Sequence, residues 1–350
     1  MKKILLFLVF LILILPSCGN EDTGSSNAQV LSGETTQMQA ARTVAEHLWE
    51  TSPLEIPIGN TRKSILNTIQ EMADACSADF YISYLGCSDE KANMRERFEP
   101  MLAFYRLSFE HVLQAVKFTN VENETAYIWN LYNMGYIVKT PSVCFGIDIN
   151  HRWAEQLEPY LDFICVTHNH QDHYNKKLIN AMLKSGKPVY SNYIKGGCTS
   201  KVSTDYQCKN VKIHVSITDH NNAGLSNFVS VFTFECGDDS GNLTMLHTGD
   251  SNFKPTQYTN ILPHVNVLIT RYAPNALAEN NILGTGEGQT TPDYVFVSHI
   301  LELTHIDEED CRWSLNSGLY RASQLNCKKS IVPFWGEQLI WKNNQLNYKV

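Results

Sequence analysis

His168-Asn169-His170-Gln171-Asp172-His173 places three imidazoles and a carboxylate within six positions. Neutral imidazole and carboxylate are ligands for divalent metals, so the run reads as a metal-binding loop in preference to solvated polar residues. The preceding stretch, Leu161 to Thr167, is apolar and of buried-strand length. A strand that ends in a ligand-rich loop presents several side chains to one point without needing a helix face.

Met245-Leu246-His247-Thr248-Gly249-Asp250-Ser251 offers a second strand end. Glycine there permits close backbone approach and the carboxylate projects beyond it, although Gly-Asp alone is also a common turn. Two histidines lie between the clusters. His214 is in mid-strand on the polar face of Val211–Thr218, whereas His220 sits at the strand exit, where ligands gather, and is the better candidate. Further on, Tyr294 to Ser298 delivers His299 at a strand end, and we prefer it as a ligand to His305. Glu302 and His305 are expected to support the ligands from behind or to touch substrate. Asp148, ending Cys144 to Ile147, is expected either to accept a ligand histidine's N–H or to act as a cap.

The order His168-x-His170-x-Asp172-His173, His220, Gly249-Asp250, His299 resembles the metallo-β-lactamase superfamily over roughly residues 123–345. The resemblance implies an αββα sandwich with two metals at one edge. His168, His170 and His220 would hold one metal, and Asp172, His173 and His299 the other, with Asp250 between them. It implies a hydrolase: a hydroxide between two metals bridged by Asp250, and aimed by Asp172, attacks a carbonyl or phosphoryl group. Zn²⁺ suits these ligands, and Mn²⁺ or Fe is also admitted. True metallo-β-lactamases usually lack a bridging carboxylate at the Gly-Asp position, so β-lactam cleavage is not expected. The core is more similar to lactonases and phospholipid-directed phosphodiesterases, which makes the expected substrate a small ester: a phosphodiester, lactone or other ester. The alternatives are a metal-binding lipoprotein without hydrolytic activity and a di-iron redox member of the superfamily.

Elements must carry these residues to one place. Residues 36–119 read as mostly helical, with apolar repeats in Thr36 to Glu50 and in Thr61 to Cys76. A longer helix opens at Pro100 with the stripe Leu102, Tyr105, Phe109, Val112 and Val116. From Glu122 short strands take over: Ala126–Leu131, Gly135–Thr140, Val143–Ile149 and Phe163–Thr167. A helix at Asn175–Ser185 precedes strands at Val211–Thr218, Phe228–Glu235, Leu243–Leu246, Val265–Thr270 and Tyr294–Ser298. A second helix is expected at Asp307–Gln324, then strands at Ser330–Phe334 and Gln338–Trp341. Early strands followed by mixed elements suggest two sheets packed face to face with helices outside.

With 350 residues the chain has ample material for a core, and a formal net charge of -8 without a dense Lys/Arg run argues against nucleic acid. Lys2-Lys3 and the apolar run Ile4 to Leu15 lead into Leu15-Pro16-Ser17-Cys18-Gly19, which resembles a bacterial lipoprotein signal. The expected organisation is a signal over 1–18 ending at a lipidated Cys18, a tether over 19–35, a helical segment over 36–121 and a hydrolase domain over 122–350. The protein would then be lipid-anchored to a membrane outside the cytoplasm, with a small-molecule substrate. Of the ten cysteines, Cys144, Cys165 and Cys236 read as core residues, and Cys198 and Cys208 could pair under oxidising conditions.

Overall fold

Thr35 caps the first helix by accepting from the Met38 N–H, and α1 (Thr36–Glu50) follows. Ser77 and Ser88 cap α3 (Ala78–Gly86) and α4 (Asp89–Phe98) in the same way. α2 (Asn60–Ala75) and α5 (Pro100–Phe118) complete the helical stretch, with Pro100 in the first turn of α5, where its missing N–H costs nothing. The stripe Leu102, Tyr105, Phe109, Val112, Val116 is buried, as its spacing requires. The computed structural model describes residues 33–222, 224–272, 281–327 and 329–348. The expected signal, Cys18 and most of the tether lie outside the described residues, as do residues 273–280.

Two sheets form the rest. The first, of eight strands, contains β1 (Thr125–Tyr132), β2 (Gly135–Lys139), β3 (Cys144–Ile147), β4 (Phe163–Cys165), β5 (Val189–Ser191), β6 (Cys198–Thr199), β14 (Gln338–Lys342) and β15 (Gln345–Asn347), in the order β15-β14-β1-β2-β3-β4-β5-β6. The second, of seven, contains β7 (Thr204–Cys208), β8 (Val211–Thr218), β9 (Val229–Glu235), β10 (Thr244–His247), β11 (His264–Arg271), β12 (Thr291–Ser298) and β13 (Ser330–Ile331), in the order β13-β12-β11-β10-β9-β8-β7. Alternate residues of both sheets meet in one apolar layer: Tyr136, Val138, Phe145 and Phe163 face Ile213, Phe232, Phe234, Val267 and Ile269. Phe145 stacks on Phe163 at 4.7 Å and meets Phe234 across the layer at 5.0 Å. Outside, α5 packs on β1, α6 (Lys176–Lys184) on β5, and α7 (Leu315–Gln324) on β12 and β13. This is the expected αββα sandwich.

Three buried arginines stitch the helical stretch to the sheets. Arg62 in α2 pairs through both terminal nitrogens with the buried Glu337, just before β14. Arg152 donates to the carbonyls of Tyr84, Leu85 and Cys87 and to Asp89. Arg312 donates to the Ala73 and Cys76 carbonyls at the end of α2. Each guanidinium satisfies carbonyls that a helix end would otherwise leave open, or pairs with a carboxylate.

Three expectations are corrected. The helix expected over Asp307–Gln324 is only Leu315–Gln324, because Cys311 adopts φ 72° and Ser314 caps the true first turn through the Ser317 N–H. The strand expected over Ser330–Phe334 pairs only at Ser330–Ile331, and Phe334 N–H turns to donate to Glu337. Cys198 and Cys208 are thiols, as are all nine cysteines among the described residues.

Candidate metal centre

β3, β4, β5 and β6 run parallel, and so do β10, β11, β12 and β13. Parallel strands end at a common edge, which is where chains of this class place their ligands. Asp148 follows β3, His168 to His173 follow β4, His220 follows β8, Asp250 follows β10 and His299 follows β12. An isolated bridge between His220 and Ser251 ties two of these ends together. The edge carries a run of left-handed backbone: Asn133, Asp148, Gly249, Tyr272, His299 and Leu301 have φ between 47° and 62°. Such conformations persist where the surroundings over-determine them, as at a site built to hold side chains in place.

All seven expected ligands meet there. His168, His170 and His220 present ring nitrogens to one point, Asp172, His173 and His299 present atoms to a second, and His168, His173 and Asp250 converge as well. Asp250 Oδ1 lies 3.5 Å from His173 Nε2, and its Oδ2 lies 3.6 Å from His220 Nε2 and 3.7 Å from His299 Nε2. Asp172 Oδ2 lies 3.0 Å from His299 Nε2 and 3.3 Å from His173 Nε2. His214 is elsewhere, its two ring nitrogens held by Asp205 and Glu235 on neighbouring strands. Gly249 also resolves between turn and ligand support: with φ 49°, an added Cβ would lie 2.7 Å from Thr167 Cβ, so only glycine brings the two strand ends this close.

Asp148 organises the centre from behind. Its buried carboxylate accepts the Thr167 N–H at 2.7 Å, the Thr167 hydroxyl at 2.7 Å and His173 Nδ1 at 2.8 Å. With its proton given to Asp148, Thr167 Oγ1 accepts from His168 Nδ1 at 3.0 Å. One carboxylate therefore assigns the protons of two histidines to Nδ1 and turns their Nε2 atoms inward. Asn133 donates to the Asp172 carboxylate and carbonyl. His220 Nδ1 accepts the Asn222 N–H at 2.9 Å, so a cation at His220 Nε2 requires that loop contact to be given up.

Glu302 is fully buried, accepts Tyr132 OH at 2.8 Å and the Thr304 N–H at 2.9 Å, and has His305 Nδ1 at 2.7 Å. The ring of His305 lies 6.2 Å from that of His299. Sequence reasoning missed Asn133, Thr167 and Tyr272. Asn133 lies in the turn between β1 and β2 and Thr167 just past β4, and nothing in their spacing marks what they touch.

The electrostatics fit a cation site. Burial, reinforced by His173, holds His168 well below the ordinary imidazole range, and burial with His220 lowers His170, so both are neutral and ready as donors. Burial opposes charge on His173, but Asp172, Asp250 and Asp148 outweigh it and raise that group well above the ordinary range. Burial likewise opposes charge on Asp172 and Asp250, and the nearby histidines overcome it and hold both well below the carboxylate range. The Nε2 atoms of His168, His173 and His220, Nδ1 of His299 and Oδ1 of Asp250 are buried without a hydrogen-bond partner. The four on His168, His173, His220 and Asp250 gather where His299 presents Nε2 rather than Nδ1, and such orphans are costly unless something positively charged satisfies them.

No family model matches the chain, and no curated protein matches it in sequence. Among solved structures the chain is similar to Igni18, a metallo hydrolase from Ignicoccus hospitalis (15% identity, 62% of this chain and 99% of that one, TM-score 0.43). It is also similar to YhfI, a metallo-β-lactamase fold protein from Bacillus subtilis (13%, 62% and 99%, 0.41). A third is CmlA, a diiron β-hydroxylase from Streptomyces venezuelae (14%, 64% and 55%, 0.44).

Proposed function

We propose that the chain is a dinuclear metal-dependent hydrolase that cleaves a small ester-type substrate, a phosphodiester, lactone or other ester. The observation that carries the reading is the set of four buried, unpartnered donor atoms on His168, His173, His220 and Asp250, with His299 Nε2 beside them on Asp172. His168, His170 and His220 would hold one cation and Asp172, His173 and His299 the other, with Asp250 facing both. Divalent metals there, most simply zinc, supply water of lowered pKa and polarise the attacked oxygen. The chain's own part is to keep His168 and His170 neutral, to direct the Nε2 atoms of His168 and His173 inward through Asp148 and Thr167, and to hold Asp172 in place through Asn133. Export with a lipid on Cys18 is part of the proposal, and Cys18→Ser should abolish labelling by a fatty acid in a bacterial host.

The test is metal analysis with an activity screen. About two equivalents of zinc and hydrolysis of bis(p-nitrophenyl) phosphate or of a lactone support the reading. Asp250→Ala should lose the second equivalent and most activity, and a mutant that keeps both sinks the ligand assignment. Fully metallated protein that is inert towards the panel points to a binding lipoprotein instead, and iron with oxygen consumption points to redox chemistry.

A further inference from the structure

Four arginines of the described chain are more than nine-tenths buried: Arg62, Arg152, Arg271 and Arg312. Three have the acceptors given above. Arg271, the last residue of β11, has none: no hydrogen bond or ion pair reaches its guanidinium among the described residues, and its Nε is sealed from solvent without a partner. A guanidinium remains charged in proteins, so it cannot escape the cost of burial by becoming neutral. It needs an anion.

The surroundings show where that anion would come from. The guanidinium lies 4.7 Å from the centre of the Tyr272 ring and 6.0 Å from that of Phe253. Aromatic rings occupy the faces of a guanidinium and leave its N–H donors, which lie in its plane, free for an oxyanion. Tyr272 is itself wedged in place, stacked on Trp313 at 4.2 Å and edge-on to His299 at 5.2 Å. Arg271 pairs with Ser298, the residue before His299, while β10, which leads to Asp250, flanks it on the other side. Phe253 follows Asp250 by three residues. Arg271 therefore ends the strand between two ligand-bearing strands.

We infer that Arg271 anchors an anionic group of the substrate, a carboxylate or a phosphate, beside the centre where its ester is cleaved. The assignment to substrate rests on the proposed hydrolytic reading. The anion site itself rests on Arg271 alone, so the two can fail separately. Two rings and a fork of donors suit a planar or tetrahedral oxyanion better than a neutral chain end. A substrate with a charged group remote from the scissile bond would use that contact for positioning.

The test uses the full chain stripped of metal with a chelator, so that the outcome does not depend on metal or turnover. Inorganic phosphate and benzoate are titrated by calorimetry and by thermal melting, with sodium chloride at matched ionic strength as control. Saturable binding by the wild type is expected, weakened about tenfold or more in Arg271→Met and by a smaller factor in Arg271→Lys, which keeps charge but not the fork. The probe that binds more tightly tells phosphate from carboxylate. Equal binding by wild type and variants overturns the inference, as does a wild type that neither anion stabilises beyond chloride. Should Arg271→Met fail to fold by circular dichroism, wild type against Arg271→Lys decides on the same terms. An anion site in a chain that proves inert would leave the anion site standing and remove both its assignment to substrate and the hydrolytic reading.

Discussion

Replacing Asp148 by Asn should unseat the metal centre while leaving the backbone as it is. Asn tolerates left-handed backbone at least as well as Asp, so φ 47° is kept and the change isolates the hydrogen bonding. The carboxylate accepts three protons, one on Oδ1 and two on Oδ2. An amide oriented to keep the Thr167 N–H bond turns its NH₂ towards the Thr167 hydroxyl and His173 Nδ1, both of which are donors. Relief requires the Thr167 hydroxyl to rotate and His173 to give up its Nδ1 proton while keeping one on Nε2, the atom that faces Asp172 and Asp250. Two charge-assisted bonds at roughly 1.5–3 kcal/mol each set a ceiling of about 3–6 kcal/mol, part of which neutral bonds return. Loss of such supporting partners weakens metal binding by about 10–100-fold. Competition with a chromogenic chelator reads the affinity, and urea melts in excess chelator read the metal-free stability. Thr167→Val, which cuts only the relay to His168, should show a smaller loss. An Asp148→Asn protein that binds both equivalents with wild-type affinity would refute the account of how the tautomers are set.

Two further outcomes are expected. Glu337→Ala leaves Arg62 buried without its carboxylate and should cost about 3–5 kcal/mol in urea unfolding, whereas Arg62→Met with Glu337→Leu should recover much of that loss; equal losses in both would show that the pair is not the cause. The contact with Glu302 raises the pKa of His305, so its contribution to stability should be complete below about pH 6.5 and fade as pH rises through the raised value. His305→Gln should therefore lower metal-free stability more at pH 5.5 than at pH 8.5, and a loss that does not vary with pH would contradict the ion pair.

The chemistry was legible because the ligands announce themselves by type. His168, His170, Asp172 and His173 are close in sequence, and His220, Asp250 and His299 each follow an apolar strand, so periodicity alone placed them at strand ends. The helices α1 and α5 were likewise plain from caps and stripes, since local hydrogen bonding and one buried face decide them. The start of α7 differs from the expectation because the acidic run Asp307 to Asp310 resembles a helix's first turn, whereas Cys311 takes left-handed backbone and Ser314 caps a later start. Strand-end positions carry no record of depth or of neighbours. That Asp148 reaches both Thr167 and His173, that Asn133 steadies Asp172, and that Arg62 and Glu337 find each other 275 residues apart depends on sheet order and on which strands run parallel. The same limit separates Arg271 from the other buried arginines: in sequence it is one more cation at the end of a strand, and only the folded chain shows it buried between two rings with no acceptor among the described residues. Ligand identity is a property of residues, whereas tautomer, burial and an unmet charge are properties of surroundings, and surroundings exist only after non-local strands have met.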